Sequence, residues 1–193
     1  IHLGHYTEAM EITRESLEKT SELGQMTLLG YPLILMGCMA FGEGDFAAAR
    51  RYVLQCSAVF AGLEHIHQAI PQAILSHVAR AQGEKKEALA YLTGTLRQGI
   101  ESLFILPTIY CLPAAALFAS DDGNPIRAIE LYGLAQQFGH IRNSRWFEDI
   151  AGNELNEVRA SLPADVASAA ETRGSALDVW QTAKTLLHEF QDH

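Results

Sequence analysis

The stretch Gly44-Asp45-Phe46-Ala47-Ala48-Ala49 decides the reading of this chain: it is a tight turn followed by the start of a helix that packs through a small residue. Glycine takes the left-handed backbone conformation that closes one helix, and an alanine further on lets the next helix approach a neighbour closely. The pattern returns as Gly4-His5-Tyr6 with Ala9, Gly83-Glu84-Lys85 with Ala88, and Gly123-Asn124-Pro125 with Ala128. Successive glycines are 40, 39 and 40 residues apart, and each is followed five residues later by its alanine. A fixed period of this size marks a repeat architecture, in which each unit buries its apolar face by stacking on the next.

Working outward from the Gly44 turn, the apolar spacing predicts a helix over about 26–42 and a second one carrying Phe46, Ala49, Val53, Cys56 and Phe60 on one stripe. Steps of three and four put that stripe on one face, with Arg50, Arg51 and Gln55 facing out. The pair is a helical hairpin. It recurs as His65–Gln82 with 86–97, which carries Leu89, Leu92 and Leu96, and as a helix ending near Ser120 with 126–138. Upstream, residues 5–23 form one amphipathic helix, with Tyr6, Ala9, Met10 and Leu17 on one side and Gly24 at its end. The helix expected ahead of Gly4 is missing, so the chain reads as a segment of a longer protein. Pro32 and Pro71 each precede their glycine by 12 residues. A proline returning in register reads as a helix start or a tolerated kink; Pro113 falls two positions later relative to its turn.

The period breaks at His140. Asn143-Ser144 suits the cap of a helix through about Ala160, and Pro163 the first turn of another that Gly174 ends. Ser175 and Asp178 have capping-box spacing for a last helix with Val179, Ala183, Leu186, Leu187 and Phe190. The sequence thus predicts an all-α fold. The expected arrangement is a right-handed α-solenoid of antiparallel helix hairpins over 1–139, with a C-terminal helical cap over 140–193, as terminal units of such stacks are usually atypical.

Composition narrows the function classes. The chain has 193 residues, 48% hydrophobic content and a net charge of -9 from 14 Lys and Arg against 23 Asp and Glu. That is enough apolar material for a sizeable core, and the acidic balance argues against a nucleic-acid partner for this segment. The apolar runs 28–41 and 103–119 are interrupted by Pro, Gly or polar residues and read as buried helices, with no membrane span. Cys38, Cys56 and Cys111 stand singly, without metal or redox spacing, which suits buried thiols in a reducing, cytoplasmic compartment.

Aligned on the Gly44 turn, Leu33, Met36-Gly37 and Ala40 precede Ala49 and Val53; Gln72, Leu75-Ser76 and Ala79 precede Ala88 and Leu92; Leu112, Ala115-Ala116 and Ala119 precede Ala128 and Tyr132. These small and apolar classes resemble a lengthened tetratricopeptide (TPR-like) array. HEAT-like repeats share the period but do not call for the glycine-acid-aromatic turn. The stretch Asn143-Ser144-Arg145-Trp146-Phe147-Glu148-Asp149-Ile150-Ala151-Gly152, with Leu162-Pro163 and Gly174 after it, is similar to the end of large bacterial signal-transducing NTPase (STAND-type) regulators of transcription or cyclase type. No phosphate-binding Gly-x-x-x-x-Gly-Lys motif occurs in this stretch of chain. The resemblance implies a sensor region that binds a protein, a peptide or a small-molecule effector and works with other domains of its parent protein.

In the tetratricopeptide fold the first helix of each hairpin lines a concave groove. The resemblance then implies a groove of Tyr31, Ile34, Cys38 and Phe41, then Ile70, Ala73, His77 and Arg80, then Tyr110, Pro113 and Leu117. The surface is apolar with a polar centre at His77 and Arg80, suited to an apolar helix, peptide or small molecule whose acidic group pairs with Arg80. The competing reading makes the same residues inter-repeat core, the groove being filled by the chain itself or by a second copy. His65-x-His67, near Glu64 and His77, lacks the three- or four-residue spacing of helical metal ligands, so no metal or other cofactor is expected. Glu148-Asp149 beside Trp146 is an acidic pair next to an aromatic. Trp146 and Phe147 are expected to bury against the last repeat and the acids to lie in a helix's first turns. No nucleophile motif stands out, so no catalysis is expected; a helical enzyme is the weaker alternative.

Overall fold

The computed structural model describes residues 2–24, 26–61 and 65–191, and every regular element among them is helical. Helix α1 (Tyr6–Glu22) is followed by a 3-10 turn (Met26–Leu29) that runs into α2 (Gly30–Gly42). Then come α3 (Phe46–Phe60), α4 (His65–Ala81), α5 (Lys85–Ser102), α6 (Ile105–Asp121) and α7 (Pro125–Ala135). Two short helices, α8 (Gly139–Arg142) and α9 (Arg145–Phe147), lead through a π-turn (Glu148–Gly152) into α10 (Asn153–Ser161), α11 (Ala164–Ser175) and α12 (Val179–Gln191).

The recurring glycines make one recurring turn. Gly44, Gly83 and Gly123 have φ of 81°, 78° and 77°. In each case the following residue donates its N–H back across the turn: Asp45 to Ala40, Glu84 to Ala79 and Asn124 to Ala119, at 2.8–2.9 Å. This six-to-one bond, with the five-to-two bond from the glycine itself, is the Schellman closure that a left-handed residue allows. Asp45 and Asn124 then cap the next helix, accepting from Ala48 N–H at 2.9 Å and Arg127 N–H at 3.1 Å.

Each turn folds two helices against one another, α2 on α3, α4 on α5 and α6 on α7, and α4 also packs on α2, α3 and α6. Close approach depends on the aligned small residues. A side chain on Gly37 would overlap Val53, and Ala49, Ala88 and Ala128 are fully buried. Ser76, at the Gly37 position of the second hairpin, is buried but donates to the carbonyl of Ala88 at 3.0 Å, which offsets the cost of burying its hydroxyl. Ionic contacts link successive turns: Arg50 pairs with Glu84 and Glu87, and Lys85 with Asp122. Arg50 is thus drawn across to the next hairpin, while Arg51 and Gln55 are exposed as their spacing predicts.

Pro32 lies in the first turn of α2, whereas Pro71 and Pro113 are interior to α4 and α6. The two readings of a recurring proline therefore apply to different copies. All three cysteines are free and buried.

After α7 the chain doubles back. Helices α10 and α11 pack on α7, while α12 reaches back to α5 and α6, with Phe190 against Phe118 at 6.0 Å between ring centres. Two local expectations are corrected here. Gly174 lies within α11, where a Cβ would overlap the Glu130 carbonyl, so it serves close helix packing and does not stop the helix. Asp178 caps α12 itself, accepting from Gln181 N–H at 2.7 Å, and Ser175 belongs to α11.

Candidate functional site

The face made by α2, α4 and α6 is where the sequence places a ligand groove, and the chain's own segment 144–154 lies on it. Ser144 accepts from Phe147 N–H at 3.4 Å and starts that segment. It is pinned to the N-terminal residues: Arg145 N–H donates to the His2 carbonyl at 2.9 Å, Ser144 Oγ lies 2.7 Å from His2 Nδ1, and Tyr6 donates to Asp149 at 2.7 Å. Trp146 and Phe147 then turn inward and are almost completely buried.

Five of the eleven groove residues, Cys38, Phe41, His77, Arg80 and Tyr110, meet this plug. Phe41 packs on Trp146 at 6.3 Å between ring centres, Tyr110 on Phe147 at 5.1 Å, and His77 on Phe147 at 6.3 Å. The Cys38 carbonyl accepts from the Trp146 indole N–H at 2.7 Å. Arg80 makes a bidentate pair with Asp121 at 2.7 and 2.8 Å and reaches Glu154 at 2.6 Å, so its acidic partners come from its own chain. Leu117 is buried, Ile34 is half-buried, and Tyr31 stands apart, 51% exposed against the edge of Phe60. Trp146 and Phe147 therefore span three hairpins, where the sequence places them against the last repeat alone. Glu64 and the side chains of His65 and His67 lie outside the described residues.

His77 has an unusual environment. Its Nε2 lies 3.2 Å from the Tyr110 carbonyl, which can only accept, so the ring carries its proton there and Nδ1 is buried without a partner among the described residues. Burial pushes its pKa down to about 4; the bond to the Tyr110 carbonyl works against that shift, and the charge of Arg80 works with it.

The plug continues into the π-turn 148–152, which points its two acids apart. Asp149 faces Tyr6 and Arg145 and, with Phe41, Phe46, Arg80, Asp121 and Glu154, lines a cleft of about 540 Å³. Glu148 faces the other way, into an open cleft of about 520 Å³ between α7, α10 and α11. Ile129 and Leu155 form the apolar floor of that second cleft, and Tyr132, Gln136, Asn156 and Arg159 stand along its walls. Asn156 donates to Glu148 at 3.0 Å, and Arg159 is paired with Glu171. Burial first, and then the adjacent Glu148 carboxylate, push the Tyr132 phenol up to about 12.

The sequence singles out Glu148 and its aromatic neighbours but not this cleft. Its walls come from three helices whose polar faces carry no motif, and the π-turn that aims Glu148 has no periodic signal. Comparison with protein families, curated proteins and solved structures finds no match.

Proposed function

We propose that this chain is a binding module: a TPR-like right-handed α-solenoid of three hairpins and a half, closed by a C-terminal helical cap. In this reading it serves as the effector- or partner-binding sensor of a larger cytoplasmic regulator of the bacterial signal-transducing NTPase type. The observation that carries the reading is the identical Schellman turn repeated at Gly44, Gly83 and Gly123, each opening a helix that packs back through a small residue. Such stacks expose long surfaces while each unit touches only its neighbours, which is the physical basis of their use as recognition scaffolds. Further support comes from the resemblance of 143–152 to the end of those regulators.

A second reading is favoured by a specific observation. The face of α2, α4 and α6 is occupied by Trp146 and Phe147, as expected of a scaffold that fills its own groove, so an outside ligand would meet the open cleft beside Glu148 or the outer helices. The two readings part on one measurement, the affinity of this chain for the NTPase segment of its parent protein with and without cell-extract metabolites. A sensor binds that segment with an affinity that metabolites alter. A scaffold binds it unaltered, and no interaction at all overturns the module reading.

A further inference from the structure

The open cleft between α7, α10 and α11 has a charge that nothing in it balances. Three ionised side chains line it, Glu148, Glu171 and Arg159. Arg159 makes a two-pronged pair with Glu171 through both guanidinium Nε and Nη2, so those two charges cancel. Glu148 is left with neutral company only, the Asn156 amide at 3.0 Å and the Tyr132 hydroxyl. No cation pairs with it among the described residues.

The backbone is shaped to hold that carboxylate there. The π-turn rotates Glu148 away from Asp149, and such turns often mark functional positions. Gly152, one turn on, leaves the space the carboxylate occupies: a Cβ there would overlap Glu148 Oε2 and lie 2.6 Å from the Tyr132 hydroxyl. Ile129 and Leu155, both buried, line the same cleft together with Tyr132. A volume of about 520 Å³ falls within the range of small-molecule sites.

We infer that this cleft binds a small organic amine, its ammonium paired with Glu148 and its hydrocarbon body lying on Ile129, Leu155 and the Tyr132 ring. An anion would meet an uncompensated carboxylate, and a neutral ligand would leave that charge unmatched as water is displaced. A compact ammonium with an apolar tail satisfies both surfaces. The site gives the effector of the proposed sensor a chemical class, and in that sense it rests on the module reading.

Calorimetric titration of the whole chain with butylamine and with 1,5-diaminopentane tests it, with butanol and butyrate as matched controls. Saturable binding is expected for the amines and not for the controls. Glu148→Gln should weaken it roughly 10-fold or more, with an unchanged circular-dichroism spectrum and unfolding midpoint in the absence of amine. Gly152→Ala should also weaken binding by crowding the carboxylate. Equal binding of butanol and butylamine, retention of affinity by the Glu148→Gln chain, or no heat of binding up to about 10 mM amine would each overturn the site. The NTPase-segment measurement is scored separately. An amine failure with segment binding intact removes the cleft alone, whereas segment failure removes the module reading and leaves a measured amine affinity standing.

Discussion

The indole N–H of Trp146 donates to the backbone carbonyl of Cys38 at 2.7 Å, joining two residues 108 positions apart in the buried centre of the molecule. Cys38 belongs to α2, the first helix of the Gly44 hairpin, and Trp146 to the segment after the last repeat. The bond makes the face of α2 that carries Cys38 an internal surface.

Trp146→Ala should destabilise the chain by about 3–5 kcal/mol, since it empties a buried indole volume packed on Phe41 of α2 and on Phe147. Trp146→Phe keeps most of the apolar volume and gives up the bond, and should cost roughly 1 kcal/mol. Urea unfolding followed by circular dichroism measures both. Equal losses for the two variants would mean that the hydrogen bond, and not the packing, holds the plug in place.

Gly37→Ala and Gly94→Ala should move stability in opposite directions. At Gly37 the added methyl overlaps Val53 and must push α2 from α3, which should cost about 1–3 kcal/mol. At Gly94, within α5, it meets only the far end of Gln72 at 3.6 Å, and replacing a helical glycine should gain about 0.5–1 kcal/mol. Thermal midpoints of the pair check the helix-packing account.

Leu103 is the one non-glycine residue with positive φ among the described residues, at 54°, and it is 75% exposed. Its left-handed conformation costs roughly 1–2 kcal/mol, and Phe104 N–H closes the same six-to-one bond to Gly99 at 3.1 Å. Leu103→Gly removes that strain at about 0.5–1 kcal/mol of added unfolded-state entropy. A net gain of about 0.5–1 kcal/mol should appear in chemical denaturation.

His77 should make stability fall as pH drops from 7 to 5. Its folded pKa of about 4 lies below the ordinary value of 6.5, so between those values the unfolded chain binds a proton that the folded chain refuses. The penalty begins near the unfolded pKa, grows down to the folded one and is constant below it. It amounts to about 2 kcal/mol by pH 5. His2, also held below its usual value by burial first and then by the N-terminal and His140 charges, adds in the same direction. Comparing wild type with His77→Gln at the two pH values isolates the buried ring: the variant should lose most of the slope, and an unchanged slope would show that His77 is not its source.

The helices, their pairing into hairpins and the alanine-lined seams were legible in the residues because each is written in neighbouring positions. A glycine must take a left-handed turn at Gly44, Gly83 and Gly123, and the stripe from Phe46 to Phe60 must face one way at helical spacing. Gly174 shows the limit of that logic. The same residue type that ends one helix serves a close crossing in another, and only the position of the Glu130 carbonyl distinguishes the two.

What the sequence by itself determined is the all-helical character and the register of the glycine turns that pair the helices into hairpins. Tertiary structure alone decided that this face is filled from within, that Arg80 pairs with Asp121 and Glu154, and that Glu148 stands unbalanced in an open cleft. The physical reason is range. Periodicity and turn chemistry act over a few residues and leave a pattern that can be read. The fit of Trp146 and Phe147 against residues 37 to 108 positions away is a matter of shape between surfaces that exist only once the hairpins have packed together.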